Sequence, residues 1–137
     1  MVEAVTGGRI RWIYPIVGGV IAEGITIALI ALIVAVTGHG GPGPGGVGFD
    51  PVAQRIGAVV AATAGSFLCY VMGWWAARQA GSRFERHGTL TGLAAGLLTV
   101  FGVVFSPSGQ AVYYLVAVIM KVVAGAAGGR MAARLTN

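Results

Sequence analysis

The chain has 137 residues, of which 56% are hydrophobic and 9% charged, with a net charge of +5 and a mean hydropathy of +0.83. Soluble domains carry about a quarter charged residues, so this composition excludes an ordinary water-facing surface and points to lipid. The arginines stand in short groups between apolar runs, which reads as a topology signal and not as a nucleic-acid interface.

Residues 1–11 form a polar lead that ends in Arg9 and Arg11, with Trp12 and Tyr14 directly after, the order of charge and aromatic expected at a membrane interface. The first span is predicted over 12–37, roughly 39 Å of helix, enough to cross a ~30 Å hydrocarbon core. It is about twice as long as the apolar part of a secretory signal, so it is expected to be retained. Pro15 falls in its first turn, where the missing N–H has no intrahelical partner. Within the segment PIVGGVIAEG the span carries Glu23, a carboxylate that costs on the order of 3 kcal/mol at the bilayer centre unless it is partnered.

Residues 38–55, rich in Gly and Pro, are predicted to be an external loop, with His39 a solvated loop residue. The second span, 56–78, has a small residue at every fourth position: Gly57, Ala61, Gly65, Cys69, Gly73 and Ala77. Residues four apart share a helix face, and so small a face lets a neighbouring backbone come close. Trp74 and Trp75 precede Arg78, Arg83 and Arg86, and 79–87 is predicted to be a basic cytoplasmic loop. The third span, 88–105, repeats the small row with Gly88, Gly92 and Gly96; Gly19, in the Gly-Gly pair of the first span, is assigned the same packing role. A tight turn, SPSGQ, follows at 106–110. The fourth span, 111–130, aligns Ala117, Lys121, Gly125, Gly129 and Ala133, so a lysine occupies a face otherwise made of small residues.

These elements predict an all-α integral membrane protein, a single domain of four transmembrane helices. Seven arginines (Arg9, Arg11, Arg78, Arg83, Arg86, Arg130, Arg134) fall on one side and Arg55 on the other, which places both termini in the cytoplasm and the chain in a bacterial inner membrane. The ends GWWAAR (Gly73–Arg78) and GRMAAR (Gly129–Arg134), with the entries YPIVGG and HGTLTG, suggest two repeated helical hairpins related by an axis along the membrane normal.

Measured from the arginine-rich side, Glu23 lies roughly 18 Å deep and Lys121 roughly 13.5 Å, a difference that a lysine stem spans. The two are therefore expected to meet between the first and fourth spans. One reading makes this a buried pair that fixes helix register in a structural or accessory subunit, joined to other membrane subunits or to a second copy. The alternative makes Glu23 the binding carboxylate of a small proton- or cation-coupled transporter or channel, with Thr26, Thr63, Ser66, Thr99, Tyr70, Tyr113 and Tyr114 as candidate lining. The structural reading is preferred, because small-residue rows imply close packing and not a pore. No nucleophile–base pair, metal-ligand cluster or phosphate loop is legible, so neither an enzyme nor a cofactor is expected, and Cys69, the one cysteine, has no disulfide partner.

The segment GGVIAEG, Gly18–Gly24, resembles the first helix of the small multidrug resistance transporters, which implies a glutamate that binds protons and cationic drugs in turn. The Gly/Pro-rich loop, the one-sided arginines and Lys121 depart from that pattern. Over the whole chain, four short spans, the two AAR-type helix ends and the HG-x-x-x-G entry at His87–Gly92 are similar to bacterial four-span membrane proteins of the YrzE-like group. That resemblance implies the architecture and no activity.

Overall fold

The computed structural model describes residues 9–42, 46, 50–104 and 111–136, except the side chain at 103. The lead at 1–8, parts of the Gly/Pro-rich loop (43–45 and 47–49) and the turn expected at 106–110 lie outside the described residues. Among the described residues five helical segments form one bundle: α1 (Ile13–Val36), α2 (Pro51–Ala62), α3 (Ala64–Ala80), α4 (Phe84–Val104) and α5 (Ala111–Arg134). Segments α2 and α3 are one rod of 30 residues interrupted at Thr63 (φ −91°, ψ −76°), so the described residues form four rods. The Thr63 hydroxyl donates to the Val59 carbonyl at 2.7 Å, a back-bond of the kind that bends helices. Among the described residues, three rods (Ile13–Val36, Pro51–Ala80 and Ala111–Arg134) are long and apolar enough to cross a membrane.

The rods run past the predicted spans wherever a cap or turn extends them. The second begins at Pro51 and not at 56, because the Asp50 side chain accepts from the Val52 N–H and proline suits the first helical position. It ends at Ala80, where Gly81 takes a left-handed conformation (φ 66°) and returns its N–H to the Ala77 carbonyl. Helix α4 starts at Phe84, so the basic loop predicted over 79–87 contracts to the three residues Gly81 to Arg83.

The bundle is apolar outside and small inside. Ile13, Phe67, Leu97, Phe101, Leu115, Ile119 and Val123 all face outward, whereas the buried hydrophobic residues among those described are alanines and Cys69. Contiguous exposed apolar surface on this scale would be anomalous in water and is ordinary against lipid. Cohesion inside comes from backbone approach. A Cβ at Gly73 would stand 3.0 Å from the Gly125 Cα, one at Gly88 would stand 2.8 Å from the Gly129 Cα, and one at Gly92 would stand 2.7 Å from the Val122 Cα. Gly19 presses on α4 in the same way (2.9 Å to the Thr91 carbonyl oxygen), and Gly96 meets Val118 at 3.0 Å. The predicted small rows are therefore the contact faces, with Gly57 against the Tyr114 hydroxyl and Ala61 buried beside it on α2. Gly128 adds a contact that the four-residue spacing skipped: it lies against the Tyr70 carbonyl and the Trp74 N–H on α3.

Helix α5 packs most extensively on α4 and α3, while α1 and α5 barely approach each other and so stand at opposite corners. The burial pattern is nonetheless repeated. Laying Tyr14–Gly19 on His87–Gly92 matches the buried positions Pro15, Gly18, Gly19, Ala22, Glu23 and Thr26 of α1 to Gly88, Thr91, Gly92, Ala95, Gly96 and Thr99 of α4, all buried. Laying Gly73 on Gly129 likewise matches Ala61, Gly65, Cys69 and Ala76 to Ala117, Lys121, Gly125 and Ala132. The matched helices are neighbours, however, and α3 packs on α4 where α1 and α5 do not, which departs from a twofold arrangement about the membrane normal.

Two alanine substitutions separate packing from propensity. Gly128→Ala is expected to lower stability by about 1–3 kcal/mol through overpacking against α3 backbone, whereas Gly24→Ala, which meets nothing within 4 Å, is expected to raise it by up to about 1 kcal/mol. Thermal or denaturant unfolding of the purified protein in one detergent reads both; a destabilised Gly24→Ala would contradict the helix faces assigned to α1.

Candidate functional site

Between their ends the four rods enclose a polar cluster in an interior made mostly of glycine and alanine. Glu23 is 6% exposed and Lys121 is fully buried. The Lys121 ammonium donates to Glu23 Oε2 at 2.5 Å and to Thr99 Oγ1 at 2.6 Å. Thr99 in turn lies 3.1 Å from Glu23 Oε1 and 3.1 Å from the Ala95 carbonyl, and its single proton serves one of the two at a time. Both carboxylate oxygens thus have a donor within reach, and the charge pair crosses the corner-to-corner gap between α1 and α5.

The lysine reaches this point because its neighbours lack side chains. A Cβ at Gly65 would sit 2.8 Å from the Lys121 Cε, and Gly92 lies against the Lys121 backbone. Thr26, also fully buried, borders the same space and returns its hydroxyl to the Ala22 carbonyl at 2.8 Å. Of the hydroxyls named as candidate lining, Thr99 joins the cluster, whereas Thr26 and Thr63 bond back to their own helices. Chemically the arrangement is a neutral ion pair with a hydroxyl between its partners. Each charge has compensation that it would lack in lipid.

Two further polar contacts lie toward the ends. His87, read from the sequence as a loop residue, is fully buried on α4. Its Nδ1–H donates to the Arg83 carbonyl at 3.1 Å and its Nε2 accepts the Arg11 N–H at 3.1 Å, which ties the entry of α1 to the start of α4. The sequence signal was its place directly before the Gly88 row, on the same helix. His39, read as a solvated loop residue, is partly exposed and pairs with Asp50, the α2 cap residue, at 2.9 Å. At the arginine-rich end Arg130 meets Glu85 at 2.7 Å, an exposed pair of small energetic weight. No group of three or more metal-ligating side chains occurs among the described residues.

Comparison with protein-family models, with curated proteins and with solved structures finds no match. The site therefore has to be interpreted from its own geometry.

The Asp50 cap makes a pH-dependent claim. The Val52 amide, and after it the His39 ring, lower the Asp50 carboxyl below its ordinary 3.8. A folded value below the unfolded one means that the stabilisation is complete above the unfolded value and disappears as pH falls through the folded value. Hydrogen exchange at Val52 to Gln54, corrected for intrinsic rate, is expected to show protection at pH 6 that is lost near pH 2. Asp50→Ala is expected to exchange fast at both; equal protection in the variant at pH 6 would remove Asp50 as the cap.

Proposed function

We propose that this chain is a multi-pass protein of the bacterial inner membrane, arginine-rich end toward the cytoplasm, acting as a structural or accessory subunit whose helices are held in register by the Glu23–Lys121 pair. The carrying observation is the pairing within the cluster: the ammonium is fully buried and hydrogen-bonded to both Glu23 and Thr99. A carboxylate committed to a lysine at 2.5 Å has its charge compensated within the chain, while a proton- or cation-carrying site needs that charge available to the cargo. The backbone-tight glycine faces support the same reading, since they fill the interior that a path would occupy. The seven arginines at one end support the orientation, and the matched burial patterns support duplication of a helical hairpin. The partner is a further membrane subunit or a second copy of the chain, docked through the lipid-facing surface.

A double-mutant cycle tests the register role. Lys121→Met alone strands a buried carboxylate and is expected to cost about 3–5 kcal/mol, and Glu23→Gln with Lys121→Met is expected to recover most of it. Unfolding in mixed micelles measures the cycle, and assembly with co-purifying subunits should survive in the double variant. Carbodiimide labelling of Glu23 in vesicles that a cationic substrate blocks would instead establish the transport alternative.

A further inference from the structure

The arginine-rich end holds a cleft of about 850 Å³ between the entry of α1 and the α3–α4 turn, lined by Arg9, Ile10, Arg11, Gln79, Ala80, Gly81 and Ser82. Its chemistry is one-sided. Its lining includes two arginines, whose guanidinium groups carry forked N–H donors, with Gln79 and Ser82 as further polar residues, and among the described residues no carboxylate lines it. Glu85, the acidic residue described at this end, is bonded to Arg130, and Arg78 stacks over the Trp74 ring at 5.2 Å. Two built features fix the cleft's shape. The Arg11 N–H is held by the fully buried His87 ring, and the left-handed Gly81 folds the α3–α4 turn back toward α1. Helix α1 begins here without a side-chain cap, so the positive end of its dipole faces the same region.

We propose that this cleft binds a phosphate group, supplied by an anionic lipid headgroup or by a soluble phosphate. Two forked cations offer more N–H donors than a carboxylate's two oxygens use, and match the oxygens of a phosphate. The cleft volume admits a headgroup-sized ligand. Its place beside Trp12 and Arg11, where the chain enters α1, is the level at which headgroups lie if the rods span a bilayer. Phosphate recognition itself is independent of the register role assigned to Glu23 and Lys121.

The test uses the purified full chain, in which Arg9 and Arg11 are exposed and their replacement leaves the core intact. Phosphatidylglycerol binding is titrated by native mass spectrometry in neutral detergent, and inorganic phosphate binding by phosphorus NMR, for the wild type, for Arg9→Gln with Arg11→Gln, and for a control, Arg86→Gln with Arg134→Gln. The control removes two exposed arginines of the same end outside the cleft. Saturable binding weakened roughly 10- to 30-fold by the cleft variant, and at least about fivefold more than by the control, supports the site. Such a loss in the lipid arm identifies a headgroup as the source, and in the phosphate arm alone a soluble ligand. Similar losses in both double variants, or binding by the wild type in neither arm, overturns the proposal.

Discussion

Burial of the Lys121 ammonium is the constraint on which the arrangement of the rods depends. In a bilayer interior a lone lysine is costly, and helix α5 cannot turn it toward water without also turning its glycine face away from α3 and α4. The ammonium is therefore tolerated where acceptors converge, and they come from two other helices: Glu23 on α1 and Thr99 on α4. Three of the four rods are fixed in rotation and in height by these contacts, and the fourth supplies Gly65 to make room for the stem. Rotating any one of these three rods would leave a charge or a hydroxyl unpaired in a medium of low dielectric.

Packing and electrostatics are consequently one problem in this molecule. If the rods span a bilayer, lipid competes as well for apolar side chains as the protein interior does, so large residues gain little by facing inward, and the outward Ile, Leu, Val and Phe agree with that. What holds the helices is van der Waals contact between backbones, available only where side chains are absent. Close backbones leave little free volume, and the long lysine fits because the residues opposite it are Gly65 and Gly92.

Much of this was legible in the residues. A charge in an apolar run demands a partner, and counting rise from the arginine-rich ends put Glu23 and Lys121 within reach of each other. The glycine rows identified the contact faces for the same reason, that four-residue spacing is a geometric property of a helix. Thr99 was less legible because serine and threonine in helices ordinarily bond to their own backbone, and Thr99 does that while also serving the pair. Gly128 escaped a strict four-residue row because α5 packs on two helices: Gly125 and Gly129 meet α4, Gly125 also borders Gly73 of α3, and Gly128 meets α3 one position off the row. The boundaries at Pro51 and Phe84 were misplaced because a hydropathy reading finds where a helix enters lipid, whereas Asp50 and the turn through Gly81 decide where the helix itself begins and ends.

The matched burial patterns give the charge pair a further meaning. Glu23 corresponds to Gly96 in the second hairpin, and Lys121 corresponds to Gly65 in the first, while Thr26 and Thr99 correspond to each other. Each hairpin thus carries one charge at a position where the other has a glycine. Two identical hairpins bearing glutamate at the first of these positions would bury two carboxylates, and two bearing lysine would bury two ammonium groups, both costly in lipid. One of each is neutral, and the glycine left opposite provides the space. On the duplication proposed above, the pair is stable only between unlike hairpins, which favours covalent linkage in one chain over assembly from equal halves. It also accounts for the bundle's departure from twofold symmetry, because a single salt bridge between α1 and α5 has no counterpart between α4 and α3, which pack directly instead.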